Sequence, residues 1–227
     1  MAGNKRYAST GDLSDRIPVF PLSGALLLPS GQMPLNIFEP RYLAMVDAAL
    51  AGDRIIGMIQ PRGECSEPGA GEGGATPGLC DVGCLGRIVQ FAEAGDGRYL
   101  ITLAGISRFR VSEELTVMTP FRQCLIAAED FPDLDDPRRG EEEVDRDGLL
   151  RTFRAYLAAN ELEADWESVE RASNAGLVTA LSMMSPWGAS EKQALLEAAD
   201  HAARARTLIA ITEIALAQNE SSSPSLQ

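Results

Sequence analysis

The sequence predicts an α+β protein in which a β-rich first half is followed by a helical second half. Several short runs between residues 15 and 128 alternate apolar and polar side chains with the period of two that is typical of strands. From residue 141 onward, the apolar residues recur with the 3.6-residue period of helices. Residues 129–140 separate the halves, since they are acidic, contain two prolines and carry few apolar side chains.

These patterns divide the chain into five predicted segments. The two ends are polar, and we expect them to be disordered. About six strands of the first half are expected to form a closed or half-closed sheet. The predicted segments are a lead-in over 1–14, a β-barrel unit over 15–128, an acidic linker over 129–140, a helical bundle over 141–218 and a tail over 219–227.

The first element lies in a run without charged side chains, from Ile17 to Phe38. A membrane helix needs about 20 such residues, but four prolines and two glycines interrupt this run. Each interior proline costs a helix about 3 kcal/mol. The run therefore predicts two short buried strands, IPVF and MPLNIF, joined by an apolar loop, and no contact with a membrane. A helix is expected over about 40–51, because Pro40 is favourable in its first turn.

The later elements follow from β-branched runs, glycine-containing turns and helical periodicity. Strands are predicted over 54–60, 80–94, 98–103, 106–111 and 120–128, with isolated Gly105 bending the chain between two of them. Residues 61–78 are rich in glycine and proline and predict a long loop. Helices are predicted over 141–160, 165–184, 191–199 and 201–218.

Several of these segments resemble the N-terminal domain of Lon proteases, also called the Lon substrate-binding domain. The resemblance is carried, in order, by IPVFPL, LP at 28–29, PLNIFEPRY, VGCLGRI, GRYLI, GISRFR, PF at 120–121 and SEKQALLE. It covers roughly residues 15–216. The resemblance implies a PUA-like β-barrel followed by a helical bundle, and it implies binding of unfolded or tagged polypeptide.

The charge balance argues against nucleic acid as a partner. The chain carries 20 Lys and Arg against 33 Asp and Glu, a net charge of −13. Residues 1–130 contribute −4 (11 against 15) and residues 131–227 contribute −9 (9 against 18). Proteins that bind nucleic acid normally carry a basic patch that neutralises phosphates, and the densest charged block here is acidic.

No catalytic residue and no cofactor are predicted. The sequence contains no G-x-x-x-x-G-K-[ST] loop to hold a nucleotide. A catalytic lysine must be desolvated, and neither Lys5 in the lead-in nor Lys192 on a helix lies in a context that indicates this. His201, the only histidine, is expected to be a solvated residue in the first turn of the last helix.

The four cysteines are Cys65, Cys80, Cys84 and Cys124. Because the first residues lack the apolar core of a secretory signal, a reducing cytoplasmic location is expected, and with it free thiols. Cys80 and Cys84 form a C-x₃-C pair, which is not the usual zinc spacing, and no second pair exists. Buried thiols are therefore favoured over a zinc site, and no metal is predicted.

Four charged residues lie inside otherwise apolar motifs: Glu39, Arg41, Arg108 and Arg110. They could contact a ligand. The structural alternative, which we favour, is that Glu39 and Arg41 cap the first helix or pair with Arg108 across the barrel, because buried charges need partners.

The predicted polypeptide-binding residues are Leu26, Leu27, Leu28 and Met33. If their loop is open, they form an apolar patch suited to unfolded chains; alternatively, they belong to the core. Together with the resemblance, which implies binding of unfolded or tagged polypeptide, the sequence favours a stand-alone, non-enzymatic module. Binding is expected near this loop or in a groove between barrel and helices, with a protease or chaperone as a further partner. A peptidase with an unfamiliar site and an RNA-binding PUA-like protein are the alternatives. The sequence does not indicate an oligomeric state.

Overall fold

The computed structural model of the chain describes residues 7–63 and 77–222, which contain six strands and six helices. The prediction of an α+β fold with six strands followed by helices is confirmed. The strands are β1 (Arg16–Pro21), β2 (Gln32–Ile37), β3 (Ile55–Ile59), β4 (Val82–Glu93), β5 (Tyr99–Glu114) and β6 (Gln123–Ala127). The helices are α1 (Pro40–Ala51), α2 (Arg146–Ala159), α3 (Trp166–Arg171), α4 (Asn174–Met184), α5 (Ala189–Glu197) and α6 (His201–Ser222).

The strands form one sheet that closes on itself. Their order is β2-β5-β4-β3-β1-β6, and the end of β5 also pairs with β6. β5 is long enough to pair with β2 through its first half and with β6 through its last residues. Five strands therefore make a ring, while β2 extends the sheet at one edge and pairs only with β5.

The strand predicted over MPLNIF is an edge strand and is mostly exposed, not buried as its apolar sequence suggests. Only Ile37 of β2 is fully buried. Pro34, which cannot donate a backbone hydrogen bond, is tolerated in an edge strand. The two strands predicted around Gly105 are one continuous strand, β5, in which Ile106 is the extra residue of a bulge opposite β4.

The core of the barrel is built around Phe109, which is fully buried on β5. Its ring lies over Gly57 of β3 and Gly83 of β4, where a Cβ atom would overlap the ring. The surrounding cluster consists of Ile17, Val19, Ile55, Ile59, Leu79, Leu85, Cys124 and Ile126.

The loop between β1 and β2 folds back onto the sheet. A Cβ on Gly86 would lie 2.8 Å from Leu27 Cδ2, so Leu27 fills the space that this glycine leaves. A Cβ on Gly105 would overlap the carbonyl of Leu28. The backbone N–H of Ser30 then donates to the carbonyl of Gly105 at 3.0 Å. The glycines of β4 and β5 thus make room for the apolar loop.

The chain divides into two compact units. The first consists of the described residues up to Pro137 together with Trp187–Leu196, and the second of Arg138–Pro186 and the residues from Glu197 onward. Most of α5 therefore belongs to the unit that contains the sheet. The predicted bundle over 141–218 includes this helix, because the spacing of its apolar residues carries no sign of what it packs against.

Hydrogen bonds explain why α5 belongs to the first unit. The Gln60 side chain, at the end of β3, donates to the carbonyl of Ala189 at 2.9 Å. Gln193 donates to the carbonyl of Val82 at 3.2 Å. Lys192 Nζ donates to the carbonyl of Gly24 in the β1–β2 loop at 2.7 Å. The KQ pair of the SEKQALLE motif thus ties α5 to the barrel.

The segment expected to be an acidic linker contributes to the first unit. Arg108 of β5 donates to the carboxylate of Asp133, and both side chains are largely buried. Arg108 also donates to the carbonyl of Leu196 at 3.2 Å and lies over the Phe131 ring at 4.7 Å. This single guanidinium joins β5, the segment around residue 131 and the end of α5.

The second unit packs α2 and α4 against α6. The predicted helix over 165–184 is two helices, because Ser173 caps the N-terminus of α4 through the N–H of Gly176. Glu141 accepts hydrogen bonds from the Arg138 side chain and from the N–H of Ala175, which together hold the pKa of this carboxyl below its usual value. Arg146 binds the carbonyls at the end of α3.

The terminal segments contain more secondary structure than their polar composition suggests. A 3-10 turn spans Thr10–Asp12, and the Tyr7 hydroxyl accepts a hydrogen bond from Arg87 at 3.0 Å. At the other end, α6 continues to Ser222. Within the described residues, no helix is both long and apolar enough to span a bilayer.

Candidate functional site

An exposed surface of the first unit, partly apolar, lies on the outer face of β2, β5 and β4. Residues that oppose each other in a sheet project from the same face. The register aligns Asn36, Leu100 and Ala92 in one row across the three strands. Pro34, Thr102 and Gln90 form the next row.

These two rows line a groove of about 450 Å³, which we call the outer groove. Leu100 is 50% exposed at its centre, and Phe38, which follows β2, is 63% exposed. Of the eight large apolar residues that are exposed in the described chain, Leu100 lies in the groove. Phe38 and Val89 are close to lining residues in the sequence, whereas Phe91, opposite buried Ile101, belongs to the other face. The lining side chains include no charged group.

The opposite face of the same strands is anchored to the barrel. The Phe91 and Tyr99 rings meet edge to face at 5.0 Å, and the Tyr99 hydroxyl donates to Asp47 of α1 at 3.1 Å. Ile101, which lies opposite Phe91 in the register, is buried. The outer groove therefore lies on strands whose opposite face is packed, and not on a loop.

The structure buries the leucines that the sequence analysis assigned to an open binding surface. Leu26, Leu27 and Leu28 are each at most 2% exposed, so the core interpretation holds for their side chains. Met33 is half-buried on β2 opposite the buried Leu103, on the face of the strand that does not line the outer groove. The sequence leaves an open loop and a core position as alternatives, and the glycines on β4 and β5 make room for the loop against the sheet.

The charged residues of the apolar motifs are paired differently from the expectation. Arg41 Nε donates to Glu39 at 2.9 Å, so these two residues pair with each other, and Glu39 makes no capping hydrogen bond to α1. Arg108 binds Asp133 and does not pair with Glu39. Arg110 binds Asp130 at the surface, at 2.9 Å. All four side chains are accounted for by structural contacts.

Lys192 is more desolvated than its sequence context indicates. Burial lowers the pKa of its ammonium group. Its hydrogen bond, however, goes to the backbone carbonyl of Gly24 and not to a serine hydroxyl. His201 is half-buried and not fully solvated, and its backbone N–H donates to the carbonyl of Arg139 at 3.0 Å. The contact of Lys192 holds the β1–β2 loop, and the contact of His201 holds the backbone at Arg139.

Three of the four cysteines lie in the described part of the chain, where they are free thiols; Cys65 lies outside it. Cys84 and Cys124 are buried on β4 and β6, and Cys80 is half-buried. Within residues 7–63 and 77–222, no group of three potential metal ligands comes together. Burial raises the pKa of the Cys124 thiol to about 11.

We predict that thiol reagents distinguish these cysteines in the folded protein. At pH 8, alkylation followed by peptide mapping should modify Cys80 well before Cys84 and Cys124, whereas all three should react in urea. The raised pKa of Cys124 also implies that stability is lost as the pH rises from about 9.0 toward about 11, since the unfolded thiol ionises first. Rapid native labelling of Cys124 would contradict its placement in the core.

Comparison with known proteins identifies the fold. The chain resembles the N-terminal domain of a Mycobacterium avium complex Lon protease, with a TM-score of 0.61, 18% identity and coverage of 87% of this chain and 98% of that one. A Lon N-terminal domain protein from Xanthomonas campestris gives a TM-score of 0.56 at 22% identity, covering 86% and 97%. At such identities the likeness establishes the fold alone.

Among curated relatives, Lon protease 2 of Myxococcus xanthus is 27% identical over 207 residues, which are 87% of this chain and 23% of that protein. Lon protease 2 of Sorangium cellulosum is 28% identical over 206 residues, 87% of this chain and 24% of that protein. The chain thus spans about a quarter of the length of these relatives.

The family match covers most of the chain. Residues 16–213 match the ATP-dependent protease La (LON) substrate-binding domain, and these residues include both the barrel and the helices that follow it. The chain belongs to the Lon substrate-binding domain family.

Proposed function

We propose that this chain is a non-enzymatic module that binds unfolded or tagged polypeptide in the context of proteolysis, and that the outer groove is its binding surface. The observation that carries the proposal is an uncharged groove with the exposed Leu100 at its centre, on a domain whose family is described by substrate binding. A protease or chaperone that receives the bound polypeptide is part of the proposal, as is a cytoplasmic location.

The groove has more apolar area available to a ligand than the leucine loop has. An unfolded chain offers apolar side chains and unpaired peptide groups, and it gains affinity by burying apolar area at about 25 cal/mol per Å². Leu100 and Phe38 are exposed and can bury more area when a ligand binds. Leu26, Leu27 and Leu28 are already buried, so they have no further area to contribute unless the loop opens.

Substitutions in the groove test the proposal. Leu100→Ser and Phe38→Ser are each expected to weaken binding of a reduced, carboxymethylated unfolded protein about tenfold, since each removes about 1–2 kcal/mol of apolar contact. Met118→Ser is the matched control, because Met118 is fully exposed elsewhere in the first unit. Binding would be measured by calorimetry, with melting temperature alongside.

The three variants separate the outcomes. Stable groove variants that bind like the wild type, or a Met118 variant that loses as much affinity as they do, would remove the groove from the proposal. A loss confined to Leu100 and Phe38 would support it.

The absence of enzymatic activity is also a proposal. Its support is that Lys192 binds a backbone carbonyl and that the recognised domain is described by substrate binding and not by proteolysis. Purified protein is expected neither to hydrolyse ATP nor to degrade casein. Turnover that persists through purification and disappears on one substitution would instead support a peptidase-like enzyme.

A further inference from the structure

The outer groove contains polar groups whose orientation is fixed by the sheet. Thr102 Oγ1 donates to Gln90 Oε1 at 2.9 Å. This bond occupies the oxygen of the Gln90 amide and leaves its NH₂ group as a donor on the exposed face. One row away, the Asn36 amide is exposed and has no hydrogen bond to another described residue. The groove therefore offers an oriented donor at Gln90 and both a donor and an acceptor at Asn36.

The spacing of these amides suits an extended chain. Asn36 and Gln90 lie on strands separated by β5 and in adjacent rows. Strands about 4.8 Å apart and a rise of about 3.4 Å per residue place the two positions roughly 12 Å apart. An extended polypeptide covers that distance in about three to four residues. Leu100 lies between the two amides, in the row of Asn36.

The groove lining offers no charge to pair with a charged occupant. Two ion pairs lie near these strands in the sequence, Glu39 with Arg41 and Asp96 with Arg98, and each is closed on itself. The lining itself contains no charged group that could compensate a charge from the ligand. Burying an unpaired charge is costly, so a lysine or aspartate over Leu100 would oppose binding.

We infer that the outer groove selects an extended, uncharged segment of about four residues, and that Asn36 and Gln90 bind its peptide groups while Leu100 contacts an apolar side chain. This inference rests on the proposed function and specifies its ligand. Recognition through peptide groups is tolerant of sequence and requires an unfolded conformation, because a folded protein has already paired these groups.

The experiment compares three synthetic peptides by calorimetry. The first is a capped octapeptide, Ser-Gly-Val-Leu-Ala-Val-Gly-Ser. The second is identical except that two central peptide nitrogens are methylated, and the third has lysine in place of leucine. Each is titrated into the wild type, into N36L/Q90M and into Leu100→Ser, with melting temperatures recorded. Gln32→Leu, on the exposed start of β2, is the control for loss of a surface amide.

The effects of peptide N-methylation and of the N36L/Q90M substitution are expected to be non-additive. N-methylation and the N36L/Q90M substitution should each weaken binding about five- to tenfold, and their combination should weaken it little further, since both remove the same hydrogen bonds. The lysine peptide should bind at least about tenfold more weakly. Affinity for the neutral peptide should be the same at about 0.05 and 0.5 M salt, because no ion pair forms.

Two kinds of failure are distinguishable. If Leu100→Ser weakens binding but N-methylation does not, or if the lysine peptide binds as well as the neutral one, the groove binds polypeptide without selecting the backbone and charge, and this inference is wrong. If no peptide binds, or if Leu100→Ser has no effect, the proposed function of the groove is wrong as well.

Discussion

Replacing Arg108 by alanine is expected to lower the free energy of unfolding of the first unit by about 3–5 kcal/mol, because it leaves the Asp133 carboxylate largely buried without its partner. The substitution also removes the hydrogen bond to the carbonyl of Leu196 and the contact with the Phe131 ring. The measurement is urea denaturation, followed by a probe in the barrel.

Arg110→Ala is the matched control for Arg108. Arg110 lies two residues away on the same strand and pairs with Asp130, but both side chains of this ion pair are exposed. Its loss should cost about 0–1 kcal/mol. A double variant, R108M/D133L, should recover part of the stability that Arg108→Ala loses, since no unpaired charge remains. Equal effects of Arg108→Ala and Arg110→Ala would show that the buried pair does not stabilise the barrel.

Replacing Leu27 by serine is expected to destabilise the first unit by about 3–5 kcal/mol, since it leaves a cavity over Gly86 and buries a hydroxyl group. Denaturation in urea measures the loss directly. Leu27→Met, which nearly preserves the volume, should cost less than about 1.5 kcal/mol and serves as the control.

The Leu27 variants also decide between the two interpretations of the leucine loop. If Leu27→Ser stays as stable as the wild type but binds unfolded polypeptide about tenfold more weakly, the loop opens to form the binding surface. If stability falls and the remaining folded protein retains its affinity, Leu27 belongs to the core, as its burial indicates.

Local patterns in the sequence predicted the order of the elements well. The strands and helices follow from periodicity and turn residues, and α1 begins at Pro40, as expected from its position after Glu39. The division of the helix predicted over 165–184 was missed, although Ser173 is a standard capping residue that could have indicated it.

Features that depend on long-range pairing could not be read from the sequence. The partner of Arg108 is 25 residues away, in a segment that composition assigned to a linker. The apolar spacing of α5 does not reveal that Gln60 and Gly24 bind it. Both features depend on contacts between residues that are far apart in the sequence. The periodicity of apolar residues within one element does not show which distant residues it contacts.

The same limit explains why the outer groove was missed and the leucine loop was chosen. A run of leucines has the same sequence whether it fills the space above Gly86 or lies open. The exposure of Leu100 follows from the position of β2 at an edge and from the register that sets Asn36 opposite Leu100. Within the NIF motif, Ile37 is buried and Phe38 is exposed, a difference that their shared apolar character does not indicate.

The most direct measurement of the central proposal is an NMR titration of the labelled protein with the neutral octapeptide. We expect amide shifts to change along β2, the start of β5 and the end of β4, around Asn36, Leu100 and Gln90, while residues 22–31 stay unaffected. Shift changes centred on the leucine loop, or on none of these strands, would contradict the assignment of polypeptide binding to the outer groove.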